Sequence, residues 1–218
     1  MSELFSIQLQ NQQQSRDGVW LDLPTTTEQV QAALRQIGIS SDNPQGLFIS
    51  GYFAEEEKRF AIPYNMVLAS NVDELNFLAS RLETLSTGER AELNAALQAP
   101  QSELSSIGRI TDFPENVDYY VHLPDVRGPA QLGDYYLNRS GMVDMPEEWK
   151  GGIDTAQFGR YVAQQEQGAF TQYGYLVKSG DEWQKVHEGQ PVPEEYRVLS
   201  FPVPEVMRDA ANIPPPVQ

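Results

Sequence analysis

The sequence contains no cysteine and only two histidines among its 218 residues. Disulfide bonds and thiolate chemistry are therefore excluded, and zinc sites built from paired Cys or His residues are absent. His122 lies in an aromatic segment, and His187 lies at the end of an alternating one. A lone histidine in such a setting is ordinarily a packing or surface residue, and a catalytic role is the less favoured alternative. We predict no metal and no cofactor.

The motifs of common enzymes are also missing. There is no Gly-x-Ser-x-Gly motif, no Walker loop and no dinucleotide-binding glycine pattern. Catalysis by two carboxylates stays open in principle, but carboxylates are so numerous that no pair stands out. The run Glu55–Glu57 lacks the spacing of a calcium loop and is typical of a solvated turn. We predict that the protein is not an enzyme.

Long apolar runs and basic clusters are lacking as well. No apolar run approaches the roughly 20 residues of a membrane-spanning helix, and the N-terminal sequence MSELFSIQLQ is not typical of a secretory signal. No five-residue window holds three Lys or Arg residues. Neither a membrane nor a nucleic acid is therefore predicted as a direct partner, and we expect a cytoplasmic protein.

The sequence is rich in acidic residues. Its 31 acidic and 15 basic residues give a net charge of −16. Residues 1–65 carry 8 acidic and 4 basic residues, residues 66–110 carry 6 and 3, and residues 111–218 carry 17 and 8. Acids spread over folded elements can hold a fixed pattern of negative charge that attracts basic partners. Solubility is the simpler explanation for such charge.

The amount of charge is comparable with that of a short DNA duplex. Duplex DNA carries one charge per about 1.7 Å of its axis, so an excess of this size matches roughly 27 Å of duplex. Carboxylates four residues apart on a helix are separated by about 6 Å along its axis, which resembles the spacing of phosphates. The charge is therefore sufficient for an imitation of DNA.

The N-terminal segment has the pattern of a small α+β unit. Strands are predicted at 4–10, 19–23 and 47–53, the first from its apolar–polar alternation. Pro24 ends the second strand because proline has no N–H to donate. A helix then follows.

This first helix has recognisable start and stop signals. Thr25, with Glu28 three residues later, is predicted to form a capping box, and Gly38 is predicted to end the helix. The apolar face has helical spacing and consists of Val30, Ala33, Leu34 and Ile37.

Two further capping boxes open helices in the central segment. They pair Asn71 with Glu74 and Ser86 with Glu89, and Pro100 stops the second helix. The apolar face of the first of these helices consists of Leu75, Leu78, Ala79, Leu82 and Leu85. Short, closely linked helices predict a small helical bundle.

The C-terminal segment is mixed. A strand is predicted at 117–124, a short helix at 129–141, a turn or short helix around 146–152 and a helix at 155–168 that Asp154 caps. Residues 170–188 are predicted to form a hairpin with Ser-Gly-Asp at its turn. The fold class is thus α+β, with an N-terminal α+β domain (1–65), a central helical domain (66–110), a C-terminal α+β domain (111–211) and a flexible Pro-rich tail (212–218).

Three segments, in order along the chain, resemble the ArdA antirestriction family. "GVWLDLPTTTEQVQAALRQIGI" (18–39) is similar to its N-terminal signature, in which Leu-Asp-Leu-Pro precedes an amphipathic helix. "NVDELNFLASRLETLSTGERAELNAAL" (71–97) resembles its central helices with their Glu-Leu-Asn core. "AQFGRYVAQQEQGAFTQYGYL" (156–176) resembles its C-terminal segment, with a Gly-Arg-Tyr helix and an aromatic strand.

This resemblance implies a function and a shape. ArdA proteins are acidic, elongated dimers of three small domains, carried by phages, plasmids and transposons. They imitate bent B-form DNA and occupy the DNA-binding groove of type I restriction-modification enzymes. We therefore expect an elongated three-domain chain with an acidic surface, a homodimer, and the specificity and methyltransferase subunits of such an enzyme as partner.

The acids inside the matching segments, or next to them, are implied phosphate mimics, although several also have the pattern of helix caps. They are Asp22, Glu28, Asp73, Glu74, Glu83, Glu89, Glu92 and Asp154. Acids elsewhere in the chain complete the predicted partner-binding set, and these are Glu55, Glu56, Glu57, Asp112, Glu115, Asp118, Asp134, Asp144, Glu147 and Glu148.

Departures from the family pattern leave an alternative open. The first helix is rich in Gln and Thr with few acids, and about 40 residues follow the last matching segment. An acidic adaptor, or an inhibitor of another DNA-binding defence complex, would also bind a basic protein surface.

Overall fold

The computed structural model describes residues 4–13, 17–40, 45–55, 60–100 and 102–199. The predicted tail at 212–218 lies outside the described residues. Within them the protein is an α+β structure with eight α-helices and two three-stranded antiparallel sheets.

The first sheet contains the three predicted strands. They are β1 (Phe5–Asn11), β2 (Val19–Leu23) and β3 (Leu47–Phe53), in the order β2-β1-β3. Side chains alternate between buried and partly exposed along the whole of β1, because successive residues of a strand point to opposite faces. The alternation in the sequence therefore identified the buried face correctly.

The first helix, α1 (Thr27–Gln36), begins one residue later than predicted. Its N-cap is Thr26, and its capping box pairs Thr26 with Gln29, so the predicted pairing of Thr25 with Glu28 is wrong. Thr25 is buried instead, and its N–H donates to Asn76 Oδ1 at 2.7 Å. Because this tertiary contact occupies the N–H of Thr25, the N-cap is the next residue, Thr26.

The rest of this helix agrees with its pattern. The four predicted apolar residues at 30, 33, 34 and 37 are all buried. Gly38 follows the C-cap with a positive φ of 72°, which is the left-handed conformation that ends many helices.

Four helices occupy the central part of the chain. They are α2 (Tyr64–Leu68), α3 (Val72–Glu83), α4 (Thr87–Gln98) and α5 (Ile107–Thr111). Both predicted capping boxes are confirmed, with Asn71 and Glu74 at the start of α3 and Ser86 and Glu89 at the start of α4. All five residues of the predicted apolar face of α3 are buried.

These helices pack against the sheets as well as against one another. Helix α3 contacts both α5 and β2, whereas α4 contacts two strands of the second sheet. One hydrophobic cluster includes Ile7, Leu78, Ile110 and Leu176, and therefore joins residues of all three predicted segments. The domain boundaries themselves stay a prediction.

The second sheet consists of β4 (Tyr120–Leu123), β5 (Ala169–Thr171) and β6 (Gly174–Lys178), in the order β4-β6-β5. The predicted strand at 117–124 is shorter than expected, because residues 117–119 form a 3₁₀ turn.

The predicted hairpin at 170–188 is present only in part. Thr171 pairs with Gly174, so the turn lies at residues 172–173 and not at Ser-Gly-Asp. Gly174 has φ of 131°, a conformation that side chains disfavour, and a Cβ there would lie 2.5 Å from the carbonyl oxygen of Leu123. The glycine therefore sets the position of the turn.

Three more helices complete the fold. They are α6 (Pro129–Asn138), α7 (Glu147–Lys150) and α8 (Thr155–Glu166), and Asp154 caps α8 as predicted. Helices α6 and α8 cross at Gly133 and Gly159, where the backbones touch. A Cβ on Gly159 would lie 1.8 Å from the carbonyl oxygen of Pro129.

Residues 179–199, all described by the structure, contain no strand and form what we call the C-terminal strap. Four buried polar side chains hold its backbone: Asp112 and Asn116 near its middle, and Asn76 and Asp73 near its end. Buried carboxylates and amides of this kind need hydrogen-bond partners, and the strap supplies them. These bonds replace the second half of the predicted hairpin.

Candidate functional site

The predicted partner-binding acids fall into four groups by exposure. The exposed acids are Asp22, Glu28, Glu55, Glu74, Asp118, Asp144, Glu147, Glu148 and Asp154. The partly buried acids are Glu83, Glu89, Glu92, Glu115 and Asp134. Asp73 and Asp112 are buried. Glu56 and Glu57 lie outside the described residues.

Several of these acids lie at helix N-termini, where their carboxylates accept backbone hydrogen bonds. The carboxylate of Glu74 accepts the N–H of Asn71, and that of Glu89 accepts the N–H of Ser86 at 2.7 Å. Hydrogen bonds from Ser86 lower the pKa of Glu89. A negative charge at this end of a helix is also favoured by the helix dipole. Capping and the presentation of charge to solvent are therefore compatible.

Glu28 and Asp154 occupy two further helix starts. A backbone hydrogen bond, and then one from Thr26, lower the pKa of Glu28, which is exposed in the first turn of α1. The exposed carboxylate of Asp154 accepts the N–H groups of Ala156 and Gln157 at 2.9 and 3.0 Å. Hydrogen bonds from the helix backbone thus fix the positions of these two carboxylates.

Other exposed acids lie on a strand and on short elements. Asp22 is on the outer face of β2, where Ser6 donates a hydrogen bond of 2.6 Å to it. Glu147 and Glu148 form the first turn of α7, and Glu147 pairs with Lys150 while remaining 84% exposed. Asp144 is exposed in the segment that leads to this helix.

Two of the predicted residues have structural roles inside the protein. The carboxylate of Asp73 accepts the N–H groups of Val198 and Leu199 at 2.8 and 2.9 Å. Asp112 is completely buried and accepts the N–H groups of His187 and Glu188. In the described structure both carboxylates are used to hold the C-terminal strap.

The surroundings of Glu92 disfavour the ionised form of its carboxyl group. Burial, and then the negative charges of Glu89 and Asp118, raise the pKa of Glu92 to about 8. One of its carboxyl oxygens is buried without a hydrogen-bond partner among the described residues. At neutral pH Glu92 is therefore mostly protonated, although the structure brings it close to two predicted phosphate mimics.

Two of the partly buried acids are neutralised by arginine. Glu115 forms an ion pair with Arg81, and Asp134 forms one of 3.1 Å with Arg139. Glu83, on the last turn of α3, is partly exposed.

Most cations of the described chain are engaged within the protein. Six of its eleven Lys and Arg side chains form ion pairs, namely Arg81, Arg109, Arg139, Lys150, Lys178 and Lys185. Three more donate to backbone carbonyl groups, namely Arg90, Arg127 and Arg197. Nine of the eleven described cations therefore have an ion-pair or hydrogen-bond partner within the protein.

Sequence reasoning missed several acids that the structure exposes. They are Asp17, Asp125, Asp181, Glu182, Glu194 and Glu195. Four of them lie on the C-terminal strap, beyond the segments that resemble a known family. The adjacent pairs 181–182 and 194–195 were visible in the sequence as local concentrations of acid.

Glu166 was also missed, and its role is structural. It accepts hydrogen bonds from Tyr136 and from the fully buried Tyr175, and thereby ties α8 to α6 and to β6. Burial, and then the bond to Glu166, raise the pKa of both tyrosines.

The two histidines have packing and hydrogen-bonding roles. His122 Nε2 lies 2.9 Å from the carbonyl oxygen of Tyr173, and the His187 ring packs edge-on against Phe77. In the described ranges, no three His, Asp or Glu side chains are grouped so that they could hold a metal ion. None of the helices described is long and apolar enough to cross a bilayer.

Comparison with known proteins identifies a family. A search of curated proteins finds no match to this chain. The family model for the antirestriction protein ArdA matches residues 13–177, about three quarters of the chain, and spans all three segments whose motifs resemble that family. An acidic α+β chain with this match belongs to the ArdA antirestriction protein family.

Proposed function

We propose that this protein blocks a type I restriction-modification enzyme by imitating B-form DNA in the enzyme's DNA-binding groove. Membership of the family supports an antirestriction function. The observation that carries the finer proposal is the arrangement of charge: exposed carboxylates are fixed on separate rigid elements, while most described cations are engaged internally.

The proposed surface uses the predicted acids that are exposed, together with the partly exposed Glu83 and Glu89, and excludes the buried ones. It contains Asp22, Glu28, Glu55, Glu74, Glu83, Glu89, Asp118, Asp144, Glu147, Glu148 and Asp154. Asp73 and Asp112 are left out because they bind the strap, and Glu92 because it is mostly neutral. The paired acids Glu115 and Asp134 contribute less, since an adjacent arginine cancels much of their field.

DNA-binding grooves gain much of their affinity by contact with phosphates and by release of counterions. A protein that presents carboxylates at comparable spacing would be attracted to the same groove and would exclude DNA from it. The same field would speed the encounter at low ionic strength. We further propose that the protein acts in the cytoplasm as a homodimer, which would double the length of the charged surface.

The experiment is a binding titration with a purified type I methyltransferase complex. Duplex DNA should displace the protein, and affinity should fall steeply between about 50 and 200 mM salt. Polyglutamate at equal charge is the matched competitor because it is acidic but lacks duplex geometry. Absence of binding at low salt, or failure of duplex DNA to compete, would contradict the proposal.

One observation favours a second candidate function. Helix α1 exposes Gln29, Gln36 and Thr27 and carries a single acid, Glu28. Such a helix offers amide hydrogen bonds more than it offers charge. An inhibitor of another DNA-binding defence complex, or an acidic adaptor, is therefore the alternative, and equal competition by polyglutamate and duplex would support the adaptor.

A further inference from the structure

The outer face of the first sheet carries exposed aromatic rings. Trp20 of β2 and Phe53 of β3 are 50% and 57% exposed, although the opposite face of this sheet is buried in the hydrophobic core. Their ring centres are 6.5 Å apart, and the ring planes are inclined by 74°. Large aromatic side chains often supply much of the binding energy of an interface. This pair is therefore a candidate contact for a partner.

The sheet holds the indole of Trp20 in place. Gln8 of β1 pairs with Trp20 on one side and with Gly51 of β3 on the other. The indole reaches across Gln8 to Gly51, where an added Cβ would lie 3.0 Å from the ring. Glycine at this position therefore leaves room for the indole. Because the sheet already orders the ring while half of the side chain stays exposed, little side-chain entropy is lost when a partner binds.

A carboxylate lies next to the two rings. Asp22 follows Trp20 by two residues, so both side chains are on the same face of β2. Ser6 pairs with Asp22 on one side and with Phe53 on the other, and therefore lies between the carboxylate and the phenyl ring. Its hydroxyl donates to Asp22 Oδ1 at 2.6 Å, which fixes the position of the exposed carboxylate. We call Trp20, Phe53 and Asp22 the aromatic–acid cluster.

This combination of groups favours a planar cation. The face of an aromatic ring attracts a cation within about 6 Å of its centre, and indole attracts it most strongly. A guanidinium group can stack on such a ring while its N–H groups donate to a carboxylate. A nucleic acid is disfavoured, because the carboxylate repels its phosphates. A purely apolar partner is disfavoured too, because it would remove the carboxylate from water without a partner.

We propose that the aromatic–acid cluster binds an arginine side chain from the DNA-binding groove of the enzyme. The guanidinium group would stack on the indole of Trp20, contact the ring of Phe53 and donate to the carboxylate of Asp22. Arginine is a frequent contact to phosphates in such grooves. This role rests on the proposed function, but it adds a contact that phosphate imitation does not supply. A stacked, desolvated pair is also screened less by salt than exposed carboxylates are.

A peptide titration tests the cluster without the enzyme. An acetylated tri-arginine peptide, added to the isotopically labelled protein, should shift the indole N–H signal of Trp20 in NMR spectra more than that of the exposed Trp149. Tri-lysine has the same charge but no planar group, and we expect its shift of Trp20 to be at least about twofold smaller. Asp22→Asn should weaken the response to tri-arginine.

Two outcomes of this titration would overturn the proposal. The first is the absence of a selective shift of Trp20 with tri-arginine. The second is a larger shift of Trp20 with a short single-stranded DNA than with tri-arginine, which would indicate that bases stack on the ring.

Binding to the methyltransferase complex tests the role of the cluster in the enzyme groove. Trp20→Ala should lower the affinity about ten- to thirtyfold, because the stacked pair is desolvated in the complex. Phe48→Ala is the matched control and should lower it by less than about twofold. Phe48 is 41% exposed on the same face, but it pairs across the sheet with the neutral Gln10.

The outcomes separate this role from the proposed function. Equal losses in Trp20→Ala and Phe48→Ala would overturn the role of the cluster. So would an unchanged affinity of Trp20→Ala when Glu148→Lys still weakens binding. If the parent protein does not bind the complex, the proposed function fails, and the peptide titration still decides whether the cluster binds arginine.

Fluorinated tryptophans at position 20 distinguish attraction for a cation from apolar contact. Each fluorine withdraws electron density from the face of the ring and weakens its attraction for a cation, while the size of the ring changes little. Affinity for the methyltransferase complex should therefore fall stepwise with each added fluorine. Urea denaturation checks that each protein stays folded. Constant affinity along the series would indicate a merely apolar contact and would overturn the proposal.

Discussion

The carboxylate of Asp112 accepts a hydrogen bond of 2.6 Å from the backbone N–H of His187, 75 positions later in the sequence. It also accepts the N–H of Glu188, and the side chain is completely buried. This aspartate is therefore an internal support for the C-terminal strap, although its residue type and the acidity of the chain suggested a surface role.

Replacement of Asp112 tests this support. Asp112→Ala leaves two N–H groups of the strap without their acceptor, and we expect a loss of about 2–4 kcal/mol in the free energy of unfolding. Urea denaturation measures this loss. The exposed Asp118→Ala is the matched control and should change stability by less than about 0.5 kcal/mol. Similar losses in the two variants would contradict the assignment.

The crossing of α6 and α8 gives a second prediction. Gly159→Ala places a Cβ 1.8 Å from the carbonyl oxygen of Pro129, so the helices must separate. We expect a cost of about 3 kcal/mol, measured by chemical denaturation. Gly88→Ala is the control, because nothing lies within 4 Å of its added Cβ and a helix favours alanine by about 0.5–1 kcal/mol. A neutral Gly159→Ala would show that the crossing is not tight.

The environment of Glu92 predicts a dependence of stability on pH. The pKa of Glu92 is raised to about 8 in the folded state from 4.5 in the unfolded chain. The unfolded state therefore releases this proton first, and folding loses stability as the pH rises from about 4.5 to 8. Glu92→Gln removes this loss. Because the side chain is only partly buried, we expect the variant to be more stable by about 1–3 kcal/mol at pH 8.

Denaturation at several pH values between 5 and 8 measures this effect. The difference in unfolding free energy between Glu92→Gln and the parent protein should increase steadily over that range. Glu28→Gln is the control. The pKa of Glu28 is lowered in the folded state, so its contribution to stability is lost only below pH 5. The difference in unfolding free energy between Glu28→Gln and the parent protein should therefore stay constant from pH 5 to 8. A constant difference for Glu92→Gln would show that this carboxyl is already ionised at neutral pH.

Charge reversal tests the proposed binding surface. Glu148→Lys and the double variant with Glu147→Lys alter exposed residues of α7, so unfolding should change little. Each exposed charge contributes little in water, and we expect affinity for the methyltransferase complex to fall about two- to fivefold per site. Isothermal titration at low salt measures this. An abrupt loss at one residue would instead indicate a localised site, and no change would remove α7 from the surface.

Local rules explain what could be predicted. Asn71 with Glu74, and Ser86 with Glu89, satisfy N–H groups within four residues of chain, so their capping boxes follow from spacing alone. The strand β2 and the apolar face of α1 likewise depend on periodicity and burial of one side. The predicted N-cap of α1 was wrong because a residue distant in the sequence is involved. Asn76 accepts the N–H of Thr25, and the N-cap is Thr26.

The sequence by itself determined the family, the fold class, most helices and strands, and an acid excess spread over the whole chain. Only the tertiary structure decided which acids reach solvent, because desolvation and hydrogen bonding depend on neighbours far away in the chain. In the folded protein Asp73 and Asp112 point inward and hold the strap, and Glu92 is mostly uncharged. The tertiary structure also placed the turn of the hairpin at Gly174, since the nearby backbone of Leu123 leaves no room there for a side chain.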